Sequence, residues 1–176
     1  MSLQPPDLQQ FIERIAQTLE ANTTLFPDEA DGESLVTAVV RNKPAIIQSA
    51  ENNLIPYIVV FESDQPIRFL EKAGRDGRDS EGGSVYELEI YCVVVTNAEL
   101  TSALAQQKIH VLTQAMRTAL ANNLRLADFP GKNNPLCRTH TRYEVPYLLK
   151  GDIPATMVAR NVVVRPQVYV SPRVVN

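Results

Sequence analysis

The chain has 176 residues, enough for one domain with a sizeable core and too few for two independent active domains. It has no run of about 20 apolar residues, and its start, MSLQPPDLQQF, lacks the basic opening and apolar centre of a signal peptide, so a soluble protein made in the cytoplasm is expected. The formal charge of −3 hides a split, because residues 1–100 hold 17 Asp or Glu against 7 Lys or Arg, whereas residues 101–176 hold 3 against 10.

Pro5, Pro6 and Asp7 suit a helix start, and Leu8, Phe11, Ile12, Ile15, Ala16 and Leu19 then recur at three and four spacings, which marks one apolar face. Residues 22–34, with Pro27, Gly32 and several acids, read as a loop. The stretch 34–50 reads as one strand or as two broken at 42–44, since Pro44 has no N–H for a ladder. The run 55–62 (IPYIVVFE) is β-branched and aromatic, and 85–96 (VYELEIYCVVVT) carries the strongest strand pattern in the chain. In the latter, Leu88, Ile90, Cys92 and Val94 share one face, while Glu87, Glu89, Tyr91, Val93 and Val95 share the other, which turns from polar to apolar along its length.

A long helix is expected over 98–123, capped by Thr96 or Asn97, with Leu104, Ala105, Ile109, Leu112, Met116, Ala119 and Leu120 on its stripe. After a turn-rich connection (127–135), strands are expected over 137–150 and 155–170, the second interrupted at Pro166. The end, RPQVYVSPRVVN, has too few core residues for a central strand and reads as an extended arm over 165–176. The sum is a single α+β domain over 1–176, with a largely antiparallel sheet, two main helices packed on one side, a long hairpin loop and a C-terminal arm. Within it the oppositely charged halves admit two arrangements. Acidic and basic strands neutralise each other across one sheet, or the protomer has one acidic and one basic edge, so that copies attract head to tail and close into a ring.

The glycine-rich stretch 71–84 (EKAGRDGRDSEGGS) lacks both GxxxxGK[ST] and GxGxxG; a strand follows it instead of a helix, and Asp76, Asp79 and Glu81 would repel an anion. It reads as a hairpin loop over 63–84, longer than a bare connector needs. His110 lies in the long helix and His140 on a polar strand, neither with a nucleophile or carboxylate motif beside it, and GxSxG and HExxH are absent. Glu87 and Glu89 share a strand face, where pairing with Arg142 or Arg160 across the sheet is the expected arrangement. Cys92 and Cys137 have no metal-ligand spacing and are expected as free thiols. The basic residues of the C-terminal part are dispersed and match no nucleic-acid recognition motif. No catalytic residue, cofactor or metal is therefore expected, and neither a membrane nor a nucleic acid is expected as a partner.

The order of helix, strands ending in VYELEIYCVVVTN, long helix (SALAQQKIHVLTQAMRTALANN), then strands with YEVPYLL and VARNVVVRPQVYV resembles the tail terminator proteins of long-tailed phages and related contractile particles. That resemblance implies a virion protein of the head-tail junction. It would form a hexameric ring of like copies that caps the tail tube, ends its polymerisation and meets the head-side connector or neck protein. In that light the loop would reach toward a neighbour or the tube and the arm could join a neighbour's sheet edge; no residue aligns to a family position, and the candidate contacts are Arg75, Asp76, Arg78 and Asp79 in the loop and Arg165, Tyr169 and Arg173 in the arm. A neck or connector-completion protein is the nearest alternative. A small enzyme or ligand-binding domain with a pocket between sheet and helices is the alternative of a different class.

Overall fold

Asp7 starts the first helix: its side chain accepts a hydrogen bond from the Gln9 N–H (3.1 Å), one of the donors that a helix start leaves without an internal partner. The helix, α1 (Leu8–Glu20), buries Phe11, Ile12, Ile15, Ala16 and Leu19, the stripe that the spacing predicted. The structure, a computed structural model, describes residues 5–22, 25, 35–41, 56–73, 83–97, 102–127, 134–137, 140–148 and 156–170.

Seven strands follow among the described residues: β1 (Ala38–Arg41), β2 (Tyr57–Ala73), β3 (Gly83–Asn97), β4 (Arg142–Tyr143), β5 (Tyr147–Leu148), β6 (Met157–Arg165) and β7 (Gln167–Val170), with a second helix, α2 (Ser102–Ala121), after β3. They form one sheet in the order β1-β2-β3-β6-β4, in which β5 also pairs β6 and β7 also pairs β3. Only the β1–β2 pair is parallel; the others are antiparallel, as the α+β reading expects.

Both helices contribute to the core on one face of the sheet. There Phe11, Ile15 and Leu19 of α1 and Leu112, Met116 and Leu120 of α2 join Ile58, Val60, Leu88, Ile90, Cys92, Val94, Val162 and Val164 in one buried cluster. Each such side chain contributes about 1.5–3 kcal/mol when fully buried. On the opposite face Tyr57, Val59, Val93, Val95, Met157 and Ala159 form a second cluster. Strand β3 therefore lies between two apolar layers at its C-terminal end, which is why CVVVT shows no polar alternation. Its N-terminal end presents Glu87 and Glu89 on the face away from the helices.

Several expectations are corrected. The hairpin strands run far into the stretch read as a loop, β2 reaching Ala73 and β3 starting at Gly83. The turn-like residues Ser63–Pro66 sit in an irregularity where β2 advances from Glu62 to Ile67 while β3 moves only from Ile90 to Leu88, so the extra residues bulge without ending the pairing. Pro66 costs no ladder bond in such a place. The strand read over 34–50 is described only as β1 at Ala38–Arg41, with 42–50 outside the described residues. Thr96 and Asn97 do not cap α2, because both remain in the ladder, opposite Val158 and Met157.

Of the strand expected over 137–150, the described residues form only β4 and β5, with 138–139 and 149–150 outside the described residues. The Leu136 and Cys137 N–H groups instead bond to the carbonyls of Leu126 and Arg125, and the Thr141 N–H to that of Leu124, which holds this segment against the turn after α2. The arm is part of the sheet at its start: β7 pairs Ser84–Glu87, and across the break the Pro166 carbonyl still accepts from the Leu88 N–H at 2.9 Å. Val168 thereby covers the helix-side core.

Candidate functional site

The distal half of the helix-free face carries the densest charge cluster among the described residues. The register that sets Ile90 opposite Val164 places Arg165 across from Glu89 at the point where Pro166 interrupts the strand. Its guanidinium reaches Glu89 Oε2 at 2.6 Å, Glu144 Oε1 at 2.5 Å and Glu87 Oε1 at 3.6 Å. Glu144 follows β4 directly, and its own N–H donates to the Val163 carbonyl (3.0 Å), so the backbone fixes where that carboxylate stands. The expected partners of Glu87 and Glu89 were Arg142 and Arg160; the cation is Arg165, because the β3–β6 register brings it, and not Arg160, level with them. Partial desolvation lowers the Arg165 pKa, but the hydrogen bond to Glu144 and the charges of Glu89, Glu144 and Glu87 outweigh it and raise it above its ordinary value.

Tyr91 extends the cluster. Its hydroxyl donates to Glu89 Oε1 (3.0 Å), and its ring meets Phe61 edge to face at 5.6 Å. Burial, then the bond to Glu89, pushes its phenol up to about 12, so it stays a donor at neutral pH. Beside these residues lies an open groove of about 640 Å³, walled by Asp64, Gln65, Ile67, Arg68 and Phe69 of β2 on the side opposite Arg165. A permanently charged guanidinium held by carboxylates, next to a protonated phenol, is suited to recognition by charge and hydrogen bonds. His110 and His140 are exposed and lie outside this cluster. Among the described residues no group of His, Cys, Asp and Glu is placed to hold a metal ion, and no helix is long and apolar enough to cross a membrane.

Of the residues singled out in the sequence, Arg165 and Tyr169 are described; Arg165 ends β6, Tyr169 lies on β7, and both stand on this face. Tyr169 lies opposite Val85, and its ring closes over Gly83, where an added Cβ would stand 2.4 Å from ring atoms. Arg75, Asp76, Arg78, Asp79 and Arg173 lie outside the described residues. Sequence reasoning did not identify Glu144 as an Arg165 ligand, since their contact depends on the β4–β6 pairing, which two short strands hardly announce.

It also passed over two apolar groups on the surface. Phe69 and Leu70 stand on β2 beyond the residues that β1 pairs, and Val145, Tyr147 and Leu148 stand on the β4–β5 margin. The signals were adjacent apolar residues in polar surroundings, FL in IRFLEK and the run VPYLL. Phe69 meets Tyr86 at 5.8 Å between ring centres, and Tyr147 accepts a hydrogen bond from Asn161 Nδ2 (2.8 Å).

No protein-family model matches the chain, and no curated protein matches it. Among solved structures it is similar to a chain of the virion of the native gene transfer agent (GTA) particle, with 16% identity and a TM-score of 0.46 over 90% of this chain and 93% of that one. It is also similar to a second solved chain, with 15% identity and a TM-score of 0.30 over 97% of this chain and 100% of that one.

Proposed function

We propose that the chain is a structural protein of a phage-type virion or tail-like particle, a tail terminator that assembles head to tail into a ring, caps the tail tube and ends its polymerisation, and meets the head-side connector. The observation that carries this reading is how the charge split maps onto the sheet. Among the described strands, β1, β2 and β3 carry Glu62, Asp64, Glu71, Glu87 and Glu89 against Arg41, Arg68 and Lys72, whereas β4 to β7 carry only Arg142, Arg160 and Arg165, and the order β1-β2-β3-β6-β4 sets the two groups on opposite sides of one seam. Arg165 pairs with Glu87 and Glu89 along that seam. A protomer polarised in this way favours contact between unlike edges, which is the geometry of a ring. The order of elements that resembles tail terminators supports the same assignment.

A pocket between sheet and helices would favour a ligand-binding domain. In the described residues that space is filled by the buried cluster of α1, α2 and the sheet. The test is to add the purified protein to its cognate tail tube protein during polymerisation and to measure tube lengths by electron microscopy. A terminator arrests lengthening and leaves extra density at one end. Binding to the connector with no effect on tube length would make the chain a neck protein instead, and tubes of unchanged length with no bound protein would overturn the reading.

A further inference from the structure

We infer that the groove on the helix-free face is a binding site for a primary ammonium group, as carried by a lysine side chain or by a free alkylamine, with Glu87 as its main acceptor. This site does not depend on the tail reading. Glu87 is only 8% exposed, yet it lines the groove of about 640 Å³. Among the described residues no hydrogen bond reaches its carboxylate. The nearest cation, Arg165, stands 3.6 Å from Glu87 Oε1, an ion pair too long for a hydrogen bond, because the short contacts of that guanidinium go to Glu89 and Glu144. A recessed carboxylate without a donor is costly to bury, and an incoming cation that donates to it offsets that cost.

The charges around Glu87 favour a cation over an anion. Glu87, Glu89 and Glu144 share Arg165, and Asp64 adds a carboxylate on the β2 wall of the groove. Arg68 lies directly opposite Glu87 in the β2–β3 register, but it is exposed and makes no ion pair with it. Four carboxylates thus face two guanidinium groups. Glu89 is already engaged at both oxygens, by the Tyr91 hydroxyl at Oε1 and by Arg165 at Oε2, which leaves Glu87 as the acceptor still open.

Among the described residues the acids are not grouped as a metal ion requires, so the cation that fits is an organic one. A primary ammonium suits the site better than a planar guanidinium. It is a compact charge with three rotatable donors on a slim stem, which reaches a recessed carboxylate, and Ile67 and Phe69 in the groove wall supply apolar contact for the methylenes of that stem.

The experiment is an NMR titration of the isotopically labelled full chain at low salt. The probes are n-butylamine and an end-blocked Gly-Lys-Gly peptide, and the control is the same peptide acetylated on its lysine. Saturable shifts of the Glu87 and Arg68 amides are expected with both charged probes and not with the acetylated peptide. Glu87→Gln should weaken binding about tenfold, because a charge-assisted hydrogen bond is lost. Arg68→Gln, at an exposed position that leaves folding intact, should tighten it about two- to fivefold by removing a competing cation. Tighter binding of the peptide than of butylamine assigns the site to a lysine of a protein partner, and the reverse assigns it to a free amine. No saturable shift with either probe, equal binding by parent and Glu87→Gln, or weaker binding by Arg68→Gln would overturn the site. A groove that binds only after Arg68→Gln is filled by Arg68 itself, which overturns the proposal for the parent chain as well.

Discussion

At the scale of single residues the structure makes Arg165 the central side chain of the helix-free face. It stands within 3.6 Å of three carboxylates, and Glu87 is itself largely buried. Replacing Arg165 by Met keeps much of the side-chain volume but leaves three like charges together. A loss on the order of 2 kcal/mol is expected in urea unfolding, set below the value for a fully buried pair because the site is partly open to water. Adding Glu89→Gln to Arg165→Met should recover part of that loss, whereas equal stability of parent and Arg165→Met would show that the cluster is only a solvated face.

Gly83 gives a second residue-scale prediction. Tyr169 covers it so closely that Gly83→Ala must displace the ring, and a loss of about 1–3 kcal/mol is expected from such overpacking. Pairing Gly83→Ala with Tyr169→Ala should cost less than the sum of the two single changes. Neither relation was legible in the sequence. GGS reads as loop when met alone, and only the β3–β7 ladder shows why a residue without a Cβ is needed there.

At the scale of elements, Asn123 joins the two helices. Its Nδ2 donates to Thr18 Oγ1 of α1 (2.9 Å) and to the Ala127 carbonyl (3.0 Å), and its Oδ1 accepts from the Ala127 N–H (2.8 Å), while Thr18 Oγ1 donates to the Arg14 carbonyl. Asn123→Ala removes the side-chain partner of the Ala127 N–H and carbonyl and the donor to Thr18 Oγ1, so a loss of about 2–3 kcal/mol is expected by thermal or urea unfolding. Asn123→Asp keeps the acceptor for Ala127 and loses both donors, and it should not restore the parent's stability. The sequence suggested Asn123 as a helix end; its bond to α1, across 105 positions, depends on how the helices pack.

The two apolar clusters supply a pH dependence, one through Cys92 and the other through Tyr57. Burial pushes the Tyr57 phenol up to about 12 and raises the Cys92 thiol above its usual value, so both are neutral in the folded chain. The unfolded groups ionise near about 10 and about 8.5. Folded pKa values above the unfolded ones mean that stability is fully present below those values and is lost as pH rises through them. The denaturation midpoint should thus hold between pH 7 and 8 and fall from about 9 toward 12. An equal midpoint at pH 7 and 11 would contradict this.

At the scale of the whole molecule, the helix faces and the alternation of β3 were readable because burial on a helix or a strand follows a fixed period. Phe11, Ile15, Leu112 and Met116 appear in the core where their spacing put them. The extension of β2 through Ser63–Pro66 was not readable, since turn residues also serve bulges. The break at Pro166 in the strand expected over 155–170 was readable, and β6 and β7 stand on either side of it, but the pairing of β7 with β3 was not. The seam at Arg165 belongs to register, which composition does not encode. The charge split was plain in the sequence, yet its local meaning depended on strand order, which sets Arg165 of β6 beside Glu87 and Glu89 of β3.

The central claim is that copies of this chain close into a ring through unlike edges. Its most direct test is the molar mass in solution by light scattering over a concentration series at low and high salt. The account predicts a mass that rises to a plateau at a fixed multiple of the protomer and shifts downward as salt screens the opposed edges. A mass equal to one protomer at every concentration and salt, or one that grows without a plateau, would contradict it.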